Sequence, residues 1–118
     1  MSEDLRGPIV TAVEEHDGAI VVRAAGELDL YNADELREVL GEVAAREPER
    51  LVLDLAGVSF IDSTGLGVLI EARTKLTNRR ALLLAAPQLE TRRALEVSGL
   101  DRHLPVYTTV EEALAAPL

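Results

Sequence analysis

Cysteine is absent from this chain of 118 residues, and aromatic residues make up only 3% of it. The lack of cysteine excludes a disulfide framework and a thiolate metal site. Hydrophobic residues nevertheless reach 47%, so the core must be built from Leu, Val, Ile and Ala. A domain of this length buries about two-thirds of the surface that its unfolded chain exposes. We therefore expect a single domain over residues 1–118, with its core at about 9–115.

Long apolar runs are also missing. No stretch approaches the roughly 20 residues that a membrane-spanning helix needs. The first residues, Met1 to Asp4, lack the basic start and apolar run of a signal peptide. These two absences predict a soluble, cytoplasmic protein.

Basic residues are scarce: 12 Lys and Arg stand against 21 Asp and Glu, which gives a formal net charge of −9. A protein of this charge repels nucleic-acid phosphates and anionic lipid. We therefore expect no direct binding of nucleic acid and no binding to membranes. The charge would suit a protein partner with a basic docking face.

Hydrophobic periodicity predicts the element order ββαβαβαβα. Strands are expected over residues 9–15, 19–25, 51–55, 81–86 and 104–107, with a hairpin turn at Asp17-Gly18. Helices are expected from Asn32 to before Pro48, from Ser63 to about Asn78, from Leu89 to Ser98 and from Thr109 to Ala115. Asn32 with Glu35, and Thr109 with Glu112, have capping-box spacing, and Gly99 is the expected C-terminal stop of the third helix.

This order has consequences for the fold class. A hairpin followed by alternating strands and helices implies an α/β domain. Its sheet should be mostly parallel, with an antiparallel N-terminal strand and about four helices. Leu51 to Leu55 is almost continuously apolar, as in a parallel strand that is buried on both faces.

The stretch from Val58 to Gly67 follows that strand and opens the second helix. Ser63 or Thr64 could simply be the N-cap of this helix, but Asp62 already supplies a capping carboxylate, so two hydroxyls after it exceed what capping needs. A helix start favours negative charge, because its first N–H groups lack helical partners. Gly65 and Gly67 are poor helix formers, and we expect them to leave backbone uncovered for another molecule. A phosphate on Ser63 would therefore be well tolerated.

Two segments carry a family resemblance. Phe60-Ile61-Asp62-Ser63-Thr64-Gly65-Leu66-Gly67 resembles the signature of the STAS domain family, and more narrowly that of the bacterial anti-sigma factor antagonists. Ala25-Gly26-Glu27-Leu28-Asp29 is similar to the segment that in this family joins the second strand to the first helix.

The resemblance implies a partner-switching regulator that binds an anti-sigma factor and so releases a sigma factor. The anti-sigma factor would be a serine kinase that inactivates the antagonist by phosphorylating Ser63, and a serine phosphatase would restore it. Thr64 stands where a second serine is commoner, and Ser63 is the preferred acceptor. The resemblance implies partner contacts by a short set of residues: Asp29, Asp62, Ser63, Thr64, Gly65, Leu66 and Gly67.

Other functions have less support in the sequence. Asp54 in the third strand could suggest a phosphoacceptor receiver domain, but the only lysine, Lys75, lies inside a helix, and Asp54 is expected to be a structural carboxylate. His16 and His103 have no predicted relation to Ser63, so no catalytic triad is indicated. We expect no enzyme, no cofactor and no metal. The alternatives are a non-switching STAS scaffold, or accessory subunit of a signalling assembly or lipid transporter, and a small nucleotide-binding domain that uses the glycines.

Overall fold

The computed structural model describes residues 6–117, and its elements follow the expected order. The strands are β1 (Val10–His16), β2 (Ala19–Leu28), β3 (Arg50–Ile61), β4 (Leu82–Ala85) and β5 (Val106–Tyr107). The helices are α1 (Ala33–Ala45), α2 (Ser63–Lys75), α3 (Leu89–Ser98) and α4 (Val110–Ala115), with 3₁₀ turns at Arg79–Ala81 and Leu100–Arg102. No helix in this part of the chain is long and apolar enough to cross a membrane.

The strands form one sheet in the order β1-β2-β3-β4-β5. The hairpin pair β1 and β2 is antiparallel, and the other neighbouring strands are parallel. The predicted α/β class, the antiparallel first strand and the mostly parallel sheet are thus confirmed.

Helices cover the two faces of the sheet unequally. Leu51, Leu53 and Leu55 of β3 belong to a large aliphatic core together with side chains of α1, α2 and α3. Val52, which alternates with them, belongs to a smaller cluster against α4 on the opposite face. The prediction that this strand is buried on both faces is therefore confirmed.

β2 and β3 both extend further than predicted. Gly26-Glu27-Leu28, expected in a connector, continues β2, and β3 runs on to Ile61. The two strands remain paired as far as Leu28 and Ile61, with two register irregularities on the way. Backbone pairing between neighbours, rather than apolar alternation, thus sets the length of both strands. Conversely, α2 ends at Lys75, because Leu76 turns into extended backbone and is buried.

Among the predicted caps, Gly99 has a left-handed φ of 78°, and the Thr109 hydroxyl accepts a bond from the Glu112 N–H at 3.1 Å. The capping box predicted for Asn32 was wrong. The Asn32 side-chain oxygen instead accepts from the Asp29 N–H at 2.9 Å, and Glu35 accepts from the Val10 N–H at 2.9 Å. Asn32 is thus bound within its own loop and Glu35 by a distant backbone group, so neither side chain completes the capping box.

Asp54 is a structural carboxylate, as predicted. It is only 7% exposed. One of its oxygens accepts from Arg23 at 2.6 Å and the other from the Ala56 N–H at 2.9 Å. Arg23 also binds Glu14, and this hydrogen bond, helped by one from His16, lowers the pKa of Glu14. Within residues 6–117, no group of His, Asp and Glu side chains could hold a metal ion.

Candidate functional site

The first turn of α2 exposes Ser63, whose hydroxyl does not contribute to the helix cap. Asp62 is the N-cap, and its carboxylate accepts from the Gly65 N–H at 3.0 Å. Ser63 is the first helical residue and is exposed, and its hydroxyl makes no hydrogen bond with any residue in the described range 6–117. Thr64 is less accessible. Since Asp62 already satisfies the cap, the Ser63 hydroxyl remains open to a reagent or partner.

The loop after β2 lies beside this helix start. Leu28 and Ile61 are paired at the ends of their strands, and the Asp62 N–H donates to the Leu28 carbonyl at 3.1 Å. Asp29 therefore lies at the same end of the sheet as Ser63.

Asp29 organises its own loop and also holds the start of the described chain. Its carboxylate accepts from the Tyr31 N–H at 3.0 Å, and its carbonyl accepts from the Ala33 N–H at 2.9 Å. Two nitrogens of Arg6 donate to the same carboxylate at 2.9 and 3.1 Å, which leaves the Asp29 side chain 17% exposed. The sequence offered no signal for this ion pair, because its partners are far apart in the chain.

Gly65 and Gly67, in the first turns of α2, lie in different surroundings. A methyl group on Gly65 would lie 2.8 Å from side-chain carbons of Leu28 and of Ile61. Gly65 is buried, so its lack of a side chain lets the helix pack against the sheet. Gly67 is exposed and has open space around its Cα. Only Gly67 therefore has the uncovered backbone that we expected of both glycines.

Large apolar side chains are exposed on the elements that meet at this junction. In the loop, Leu30 is 67% exposed and Tyr31 75% exposed, while Phe60 on β3 and Ile70 on α2 are each 48% exposed. Ile70 follows Ser63 and Gly67 along the solvent-facing stripe of the helix. We call Leu30, Tyr31, Phe60 and Ile70 the apolar rim. Large exposed apolar side chains on adjoining elements are typical of an interaction site.

The apolar rim was missed at the level of the sequence. Leu30 and Tyr31 were weak signals, as apolar residues in a loop otherwise rich in acidic and amide side chains. Phe60 is the chain's only phenylalanine, but it was noted only as the first residue of the family signature.

Residues 11–113 match the STAS domain. The chain belongs to the STAS domain family. The paired strand ends, the capped helix start and the exposed Ser63 all lie within the matched residues.

Several relatives of this chain are named anti-sigma factor antagonists. The anti-sigma-F factor antagonist RsfB of Mycobacterium tuberculosis is 36% identical over 106 residues, which is 90% of this chain and 87% of that protein. The anti-sigma F factor antagonist of Paenibacillus polymyxa is 36% identical over 105 residues, covering 86% and 89% respectively. The crystal structure of an anti-sigma factor antagonist from Mycobacterium paratuberculosis superposes with a TM-score of 0.83 at 39% identity, covering 89% of this chain and 91% of that one.

The packing at Gly65 yields a matched pair of predictions. Gly65→Ala should destabilise the fold by about 1–3 kcal/mol, because the added methyl group overpacks the contact with Leu28 and Ile61. Gly67→Ala, with open space at the same helix, should be neutral or stabilising by up to about 1 kcal/mol. Urea unfolding of both variants measures the difference. Equal stability of the two would show that the helix start can move away from the sheet.

Proposed function

We propose that this protein is an anti-sigma factor antagonist that is switched off by phosphorylation of Ser63. The observation that carries the proposal is the exposed Ser63 hydroxyl at a helix start already capped by Asp62. Sequence relatives that bear the name anti-sigma-F factor antagonist support the function. Thr64 is the second choice of acceptor, because it is less accessible.

The helix start would accommodate the modification without a change of fold. Phosphate adds roughly −1.5 to −2 charges at neutral pH. On Ser63 this charge would face the positive end of the α2 macrodipole and the N–H groups of its first turn. Asp62 keeps its own bond to Gly65, so the cap does not have to be rebuilt.

The partner surface combines the helix start with the apolar rim. It would include Asp29, Asp62, Ser63, Thr64 and the exposed parts of the first turns at Leu66 and Gly67. Gly65 would act indirectly, since its place is against Leu28 and Ile61. The apolar rim would supply most of the contact area and hence most of the affinity.

Phosphate on Ser63 would break this contact by desolvation and repulsion. A partner that covers the first turn would have to bury the new charge beside Asp62, on a protein whose formal net charge is already −9. Uncompensated burial of an ion costs several kcal/mol, whereas about 1.4 kcal/mol is a tenfold change in affinity. A single modification can therefore release the partner while the antagonist stays folded.

The proposed partners follow from this chemistry. An anti-sigma factor with serine kinase activity would both bind the surface and phosphorylate Ser63, and a serine phosphatase would return the protein to its binding state. The sigma factor is freed when the antagonist occupies its inhibitor. The protein itself needs no enzymatic activity in this scheme.

The first experiment maps the modified residue. The protein is incubated with ATP and candidate anti-sigma kinases from its own genome, and mass spectrometry with fragmentation locates the phosphate. We expect it on Ser63, with loss in Ser63→Ala and retention in Thr64→Val. If no candidate transfers phosphate and the protein forms stable assemblies with itself in gel filtration, the non-switching scaffold replaces this proposal.

A charge mimic tests the mechanism of release. Ser63→Asp should weaken binding to the anti-sigma factor by about tenfold or more, because the partner must then desolvate the added carboxylate. The melting temperature should stay close to that of the wild type, since the helix start tolerates an anion.

A matched variant controls for net charge. Thr108→Asp adds the same charge at an exposed position before α4, which packs on the opposite face of the sheet. Its affinity for the anti-sigma factor should equal that of the wild type. Calorimetry of both variants measures the contrast, and equal affinity of Ser63→Asp and the wild type would refute release by charge.

The apolar rim predicts a binding hot spot in the loop. Tyr31→Ala should lower affinity for the anti-sigma factor by about tenfold or more, because buried aromatic anchors dominate interface energies. Folding should be unaffected, since Tyr31 is 75% exposed. Val97→Ala, at an 89% exposed apolar position on α3, is the control and should bind normally. If Tyr31→Ala and Val97→Ala changed the affinity for the anti-sigma factor equally, the interface would have to lie elsewhere.

A further inference from the structure

The segment before β1 folds back over the loop that follows β2. Ile9 holds this segment in place, because its side chain is 1% exposed in the main core and its carbonyl accepts from the Ala25 N–H at 2.8 Å. Gly7, two residues earlier, has a left-handed φ of 86°, a conformation that favours glycine. This turn allows Arg6 to reach Asp29. We call residues 6–8 the N-terminal arm.

Arg6 covers the carboxylate of Asp29. Two of its guanidinium nitrogens donate to the two carboxylate oxygens at 2.9 and 3.1 Å, and one of these nitrogens lies 3.7 Å from Glu27. The Asp29 side chain is therefore only 17% exposed, although Leu30 and Tyr31, next to it in the loop, are 67% and 75% exposed. Within the proposed partner surface, the protein's own arginine thus occupies the Asp29 carboxylate.

The N-terminal arm is not packed into the core. Arg6, Gly7 and Pro8 are all exposed. The Arg6 side chain is 40% exposed, and an ion pair at such a position contributes little to stability, because water screens it. The arm can therefore leave the loop while Ile9 keeps its place in the core. A cavity of about 180 Å³ also separates this segment from the loop, with a lining that includes Arg6, Gly7, Ile9, Gly26, Glu27 and Asn32.

We propose that the N-terminal arm is autoinhibitory: Arg6 occupies a carboxylate that the partner needs, and the partner binds fully only after it displaces the arm. This inference rests on the proposed function, in which Asp29 belongs to the partner surface. A cation of the partner must compete with a guanidinium that already bonds both oxygens. The exchange favours a partner with a planar fork of donors, because a single ammonium group does not restore both bonds in the same geometry.

The first test needs no partner. Carbodiimide with glycine ethyl ester labels accessible carboxylates, and mass spectrometry of the digested full chain measures the labelling of Asp29. Labelling should rise several-fold in Arg6→Gln. It should also rise in Gly7→Ala, which keeps the charge of Arg6 but strains the left-handed turn that places it. Equal labelling of Asp29 in the wild type and in both variants would overturn the inference.

Arg46→Gln is the matched control for charge. Arg46 forms another exposed ion pair, with Glu15 at 3.3 Å, and lies at the far end of α1 from the loop. The substitution removes the same charge as Arg6→Gln and leaves the N-terminal arm intact. Labelling of Asp29 should stay at the wild-type level. A rise equal to that in Arg6→Gln would mean that net charge, and not the arm, controls access to Asp29, and would overturn the inference.

The second test measures affinity for the anti-sigma factor by calorimetry. Arg6→Gln and Gly7→Ala should each bind about two- to fivefold more tightly than the wild type, because an exposed ion pair no longer has to be broken. Arg46→Gln should bind like the wild type. In an Asp29→Asn background, Arg6→Gln should have no effect on affinity, because the carboxylate that the arm covers is gone.

Failure of this inference can be distinguished from failure of the proposed function. If Tyr31→Ala weakens binding but Arg6→Gln leaves it unchanged or weakens it, the autoinhibition is refuted and the proposed function stands. If neither the wild type nor any variant binds an anti-sigma factor, the proposed function fails. The inference then fails with it, even where labelling shows that Arg6 covers Asp29.

Discussion

The close contact between the first turn of α2 and the ends of β2 and β3 governs the rest of this end of the molecule. Gly65 lies against Leu28 and Ile61 with no room for a methyl group. Backbone contacts hold the same junction. The two strands pair in parallel, and the Asp62 N–H donates to the Leu28 carbonyl. With its inner side held in this way, the helix must turn Ser63 outward to solvent.

Local sequence signals accounted for those parts of the fold whose causes are themselves local. The order of elements along the chain, the left-handed Gly99 and the cap at Thr109 depend on neighbours in sequence, and each was predicted. The capping box at Asn32 failed because Glu35 found a distant partner in the Val10 N–H. The extensions of β2 and β3 were missed for the same reason, since strand pairing, not apolar alternation, carries them.

The residues of the candidate site likewise fall into those that local sequence signals predicted and those that depend on tertiary structure. Asp62 and Ser63 could be recognised because a capping residue and its follower are adjacent in sequence. The exposure of Tyr31 and Ile70 depends on how the loop and helix are set against the sheet, which no window of sequence contains.

The rigid setting of Ser63 also restricts any enzyme that modifies it. Its backbone is already wound into a helix whose next turn is packed on the sheet, so the segment cannot be drawn out into an extended strand without melting part of the domain. A kinase that acted on Ser63 would therefore have to recognise a three-dimensional surface, including the neighbouring loop, and not a linear motif. Short peptides copied from residues 58–67 should be poor substrates, and selectivity among similar antagonists in one cell would come from shape.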